Sequence, residues 1–154
     1  MTDQRRFQQT MSMNSDPSPS DVGELYDGLD AYNMAHLPGF TRQRRLWTVR
    51  NDQDELIAGL YGQAHMSSFH VDYLWIDESA RGHGLGSMLI QQVETEARAL
   101  GIYRVYLDTY TFQAPGFYAK LGFVETGRFQ DFPTEGVDKI FLVKDLSTPE
   151  SEEG

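Results

Sequence analysis

Residues 68–87, SFHVDYLWIDESARGHGLGS, decide how this chain is read. The first nine are rich in aromatic and β-branched types and predict a strand ending near Ile76. Gly82, Gly84 and Gly86 then fall at alternate positions, followed by Ser87. Beyond them Leu85, Leu89, Val93, Ala97 and Leu100 recur on one helical face, Glu94 precedes Arg98 by four as a surface ion pair would, and Gly101 supplies a stop. Glycine loses more backbone entropy on folding than other residues, so three together imply close approach to the main chain. A strand, a glycine turn and a helix starting near Gly84 aim unpaired N–H groups at one point, which suits a phosphate or pyrophosphate. A turn shaped only for tight strand–helix packing is the competing reading.

Two nucleotide motifs compete for this loop. The GxxxxGK[ST] pattern fails because no lysine precedes Ser87. The GxGxxG pattern fits at Gly82 and Gly84, and Asp108 lies where a ribose-binding acid would sit. However, Ser87 occupies the third glycine position, and residues 77–81 separate the strand from Gly82. Too little chain remains for a second mononucleotide half.

Working outward, NSDPSPSDVG (14–23) reads as a loop into a helix capped by Ser18 or Ser20, with Leu25, Leu29, Tyr32 and Ala35 at helical spacing. RLWTVRN and ELIAGLYGQAHM read as strands, with Ser67 and Ser68 as the turn into the next. Downstream, IYRVYLDT predicts a strand and QAPGFYAKLG a short helix with Pro115 in its first turn. GFVET and KIFLVKDL predict a closing pair. The class is mixed α/β, with strand–loop–helix–strand at its centre. No repeat or interior linker divides the chain, so residues 1–146 are expected to form one domain. Residues 1–15 are expected to be partly disordered, and 147–154 an acidic disordered tail.

The 154 residues can bury a real core, and no apolar run has the length of a membrane span. A formal charge of −10 argues against nucleic acid and suits a cationic partner, although it also serves solubility. With no cysteine, the chain has no disulfide, thiolate metal site or cysteine nucleophile. The amino terminus shows no export signal, and a cytoplasmic location is expected.

Arg81-Gly82-His83-Gly84-Leu85-Gly86 resembles R/Q-x-x-G-x-G, the acetyl-CoA pyrophosphate loop of the GNAT superfamily of N-acetyltransferases. Residues 114–123, APGFYAKLGF, resemble its A-x-x-x-Y-x-x-x-G-F segment through Ala114, Tyr118, Gly122 and Phe123. The resemblance spans residues 44–146. It departs at Glu78, where proline is common, and at Thr111, where asparagine is frequent. The resemblance implies a central twisted mixed sheet with helices on both faces. Two parallel strands, ending at Ile76 and Asp108, would splay to admit acetyl-CoA. Leu74, Trp75 and Ile76 would pair with pantetheine. Arg81, Gly82, His83, Gly84, Leu85, Gly86 and Ser87 would hold the pyrophosphate, and Gln113 would also touch the cofactor. A homodimer is common in the superfamily, with no interface legible here.

Acetyl transfer from a thioester to an amine needs a deprotonated amine, a stabilised oxyanion and a protonated leaving thiolate. The resemblance makes Tyr118 the general acid; packing beside Phe117 is the alternative. An N–H near Ile76 would polarise the carbonyl. Asp108 is the candidate base, with capping of the helix near Ala114 as its alternative; Glu78 and Asp72 also qualify. His70 reads as a structural histidine and His83 as a loop residue. His36 and His65 lack metal spacing with them, and no metal is expected. In superfamily geometry Tyr26, Asp30, Tyr32, Asn33 and Phe132 would face the acceptor, with Asp27 and Asp30 attracting a small amine. The expected reaction is direct transfer in a ternary complex. A non-catalytic acyl-CoA-binding module and a nucleotide-binding module are the other readings.

Overall fold

The computed structural model describes residues 3–147. They fall into two compact units that divide between Phe40 and Thr41; of the tail expected over 147–154, all but residue 147 lies outside the described residues.

The first unit holds α1 (Asp3–Thr10) and α2 (Pro19–His36). Helix α1 lies within the stretch expected to be partly disordered. Of the two serines considered as caps for α2, Ser18 takes the role. Its hydroxyl accepts from the Asp21 N–H, and the Asp21 carboxylate accepts from the Ser18 N–H, which satisfies two helix-end donors at once.

The second unit is one six-stranded mixed sheet in the order β1-β2-β3-β4-β6-β5. The strands are β1 (Arg42–Arg50), β2 (Leu56–His65), β3 (Ser68–Ile76), β4 (Arg104–Tyr110), β5 (Val124–Phe129) and β6 (Lys139–Asp145). Helix α3 (Leu85–Ala99) joins β3 to β4, and α4 (Pro115–Lys120) joins β4 to β5. The core lies where α3 and α4 meet the sheet. Leu89, Ile90, Val93 and Ala97 from α3 join Leu60, Phe69, Val71, Val105, Leu107, Ile140 and Leu142 from the strands. This is the apolar face of α3 read from the sequence, except that Leu100 is exposed.

The ion pair expected on the surface of α3 does not form. Glu94 is buried and pairs with Lys144 on β6, while Arg98 Nη1 donates to the Leu146 carbonyl at 2.7 Å. Position 94 borders the core stripe, so its nearest cation comes from across the sheet, not from the next turn.

One irregularity positions the site. Between β2 and β3 the register runs Gly62 opposite Val71 and then Tyr61 opposite Tyr73, so Asp72 is an extra, bulged residue. Before it, Phe69 and Val71 point into the core. After it the alternation changes phase, and Leu74 and Ile76 pack there instead. A bulge also bends its strand. Strands β3 and β4 run parallel and pair where Ser68, Phe69 and His70 lie opposite Arg104, Val105 and Tyr106. Their pairing ends just before the bulge.

Candidate active site

Beyond His70 and Tyr106 the separated strands enclose a cleft of about 750 Å³. It is lined by Asp72, Leu74, Trp75, Ile76 and Arg81 on the β3 side, and by Asp108, Gln113, Phe117 and Tyr118 on the other. The Asp77 N–H donates to the Ile57 carbonyl at 2.8 Å. In an antiparallel ladder successive residues face opposite neighbours, so the N–H groups of Ile76 and Leu74 turn away from β2 toward the cleft.

At the end of β3 a 3₁₀ turn over Glu78–Ala80 leads to the glycine loop. The Ser79 N–H and hydroxyl both donate to the Asp77 carboxylate, which holds that acid below its ordinary range. Arg81 Nε donates back to the Ile76 carbonyl at 3.2 Å, drawing the loop against the strand end. Gly82 and Gly84 have φ of +81° and +76°, a region that side-chain-bearing residues avoid, and a Cβ on either would meet open space. Gly84 caps α3 without a side-chain bond, so the first N–H groups of the helix stay open to an anion. Gly86 is different: a Cβ there would come within 2.9 Å of the Phe117 ring and 3.1 Å of Ile76. Its missing side chain lets α3 pack on α4. The packing reading thus describes Gly86, whereas Gly82 and Gly84 border open space. The loop residues 82–87 adjoin the cleft at Arg81 without lining it.

Tyr118, on α4, is 8% exposed and packs edge-on against Phe117 and Phe123. Burial pushes its phenol up to about 12. It has no hydrogen-bond partner among the described residues, and it reaches the cleft. Gln113 turns inward at the end of β4, where its Oε1 accepts from the Tyr110 N–H at 3.1 Å.

Asp108 does not cap α4, whose N-cap is Ala114 without a side-chain bond. Its carboxylate lies 3.6 Å from Lys139 Nζ on β6. That ammonium sits over the rings of Phe132 and Phe141, but Phe132 does not line the cleft. The Asp138 N–H donates to Thr111 Oγ1 at 3.2 Å, tying the β5–β6 loop to the end of β4. Tyr26, Asp30, Tyr32 and Asn33 belong to the first unit and are not placed relative to the cleft.

A second cavity, of about 620 Å³, is lined by His65, Ser68, His70, Arg104, Tyr106, Asp108 and Phe141 among others. It shares Leu107 and Asp108 with the cleft. His70, read from the sequence as a structural histidine, stands on the wall of this cavity. No group of metal-ligating side chains occurs among the described residues, nor any helix long and apolar enough to cross a membrane.

Residues 8–123 match the acetyltransferase (GNAT) family. The chain belongs to that family. This GNAT protein is an N-acetyltransferase. Over 96 residues it is 42% identical to blasticidin-S acetyltransferase of Streptomyces morookaense, covering 62% of this chain and 70% of the relative. Over 89 residues it is 37% identical to a peptidyl-lysine N-acetyltransferase of Salmonella typhimurium, covering 58% of this chain and 57% of that one. A crystal structure of an acetyltransferase from Bacillus cereus superposes with a TM-score of 0.78 at 30% identity, covering 89% of this chain and 99% of the other.

Proposed function

We propose that this GNAT enzyme transfers the acetyl group of acetyl-CoA to a primary amine of a small molecule, by direct attack in a ternary complex. The observation that carries the reading is the parting of β3 and β4 into a cleft with the glycine loop at one end and the Tyr118 hydroxyl inside. The residues suit acetyl-CoA. Gly82 and Gly84 leave open space beside the free N–H groups of α3, and Arg81 adds a positive charge. Leu74, Trp75 and Ile76 offer an extended edge to the pantetheine arm. An N–H turned toward the cleft, that of Leu74 or of Ile76, stabilises the oxyanion. Tyr118, a neutral phenol at working pH, donates its proton to the departing sulfur. Asp108, shared by both cavities, draws the ammonium of the acceptor toward the thioester.

A small acceptor suits a second cavity of about 620 Å³, which is drug-sized. The relative named for blasticidin S supports the same class. The reading is tested by calorimetric titration with acetyl-CoA, CoA, NAD and ATP, followed by thiol release with blasticidin S and with a lysine-containing peptide. Selective binding of acetyl-CoA and CoA, with thiol released only when an amine is present, is expected. A preference for NAD or ATP, or no binding of CoA, overturns it.

A further inference from the structure

We propose that His70, oriented by Asp72, is the catalytic base that takes the proton from the acceptor ammonium, which enters through the second cavity. The proposal rests on the amine-transfer reading above.

His70 and Asp72 straddle the point where the sheet opens. His70 lines the second cavity and Asp72 lines the cleft. His70 Nδ1 lies 3.3 Å from Asp72 Oδ1. The other carboxylate oxygen of Asp72 accepts from Gln63 Nε2 at 3.3 Å, so the carboxylate is held from two sides. The His70 ring also stacks on Tyr106, with centroids 4.6 Å apart. A carboxylate at Nδ1 selects the tautomer with its proton there, leaving the Nε2 lone pair to act as base, and stabilises the imidazolium once formed.

The surroundings favour this role for His70 over Asp108. Asp108 faces the Lys139 ammonium at 3.6 Å, so its carboxylate already has a cationic partner. Burial, followed by the charge of Arg42, holds His65 on β2 below its ordinary range. Burial, followed by the charge of Asp72, keeps Tyr106 on β4 protonated. Arg104, also on β4, lines the outer part of the same cavity and can help orient a polar acceptor. Among the described residues lining this cavity, His70 is the histidine with a carboxylate oxygen at its Nδ1.

The transfer balances as follows. His70 Nε2 takes one proton from R–NH₃⁺ and releases it to solvent through the cavity. The freed amine forms the C–N bond at the thioester carbonyl carbon. As the C–S bond breaks, Tyr118 gives its proton to the sulfur, and the nitrogen's surplus proton restores the Tyr118 hydroxyl.

The test is steady-state kinetics of the full chain over about pH 5.5–9.5, following thiol release with the better acceptor of blasticidin S and the lysine peptide, alongside calorimetric acetyl-CoA binding. In His70→Gln, kcat/KM is expected to fall about 10²–10³-fold with the acid limb of the profile lost and acetyl-CoA affinity unchanged. Asp72→Asn is expected to lose less rate and to move the acid limb to lower pH, because the charge that stabilises the imidazolium is gone. Retained rate and acid limb in His70→Gln overturn the assignment. If that variant does not fold, an acid limb in Asp72→Asn at the wild-type position overturns it. A wild-type enzyme that releases no thiol with either amine overturns the amine-transfer reading and this assignment with it, whereas an active wild type with unaltered variants overturns this assignment alone.

Discussion

Glu94 on α3 and Lys144 on β6 form an ion pair across the helix–sheet interface, with Glu94 6% exposed. The stem of Lys144 also covers Gly122, where a Cβ would lie 3.4 Å from its Cε. The pair thereby joins α3, β6 and the turn that ends α4. Lys144→Met strands a buried carboxylate and should cost about 3 kcal/mol. Replacing both residues, as Glu94→Leu with Lys144→Met, should recover most of that loss. Urea denaturation midpoints measure both; equal stability of the single variant and wild type would show the pair to be idle.

Tyr118→Phe should lower kcat about 10²-fold or more while leaving acetyl-CoA affinity unchanged. Burial pushes the phenol up to about 12, so it remains protonated through the neutral and mildly basic range. Because its folded-state pKa is raised above the ordinary ~10, Tyr118 contributes stability that is complete below pH ~10 and lost as pH rises toward 12. Wild type should therefore lose stability more steeply than Tyr118→Phe above pH ~10, as read by thermal unfolding.

Gly62→Ala should disturb both stability and rate. Its Cβ would lie 2.4 Å from the His70 carbonyl oxygen and 2.4 Å from the Phe69 ring, so the backbone of β3 must move. Overpacking of this kind costs roughly 1–3 kcal/mol. The displaced strand carries His70 and the Asp72 bulge, so kcat should fall as well. Unchanged kcat with reduced stability would separate the packing of β2 from the geometry of the site.

Gly84→Ala puts a side chain at φ +76° in otherwise open space. Conformational strain alone should cost about 1–2 kcal/mol. Relaxing that strain would turn the α3 amides, and acetyl-CoA affinity measured by calorimetry should weaken more than kcat changes.

Asp108→Asn should raise KM for the amine several-fold while affecting kcat less, because the acceptor ammonium loses its carboxylate and Lys139 loses its partner at 3.6 Å. A collapse of kcat with unchanged KM would return the role of base to Asp108.

Much of this protein is written in local pattern. The composition of residues 68–76 predicts a strand ending at Ile76, as β3 does. The apolar stripe from Leu85 to Ala97 marks the buried face of α3, and the turn chemistry of Gly82 and Gly84 marks the loop. Each follows from the steric and periodic preferences of residues close in sequence. Tyr118 was singled out only through motif resemblance, since a tyrosine beside a phenylalanine reads equally as packing.

The remaining features depend on residues distant in sequence. Asp72 becomes a bulge only when β3 pairs with β2, and that bulge changes the strand's phase and ends its pairing with β4. Glu94 chose Lys144 over Arg98, and Asp108 faced Lys139 instead of capping α4, because in each case β6 brought a cation closer. His70 acquired Asp72, Tyr106 and a cavity by the same route. The sequence by itself determined the strands, the helices from α2 onward and the glycine loop, through interactions spanning a few residues. The opening of the sheet and the partners of its charged groups were decided by tertiary structure, because register and ion pairing are set between strands that meet only when the sheet assembles.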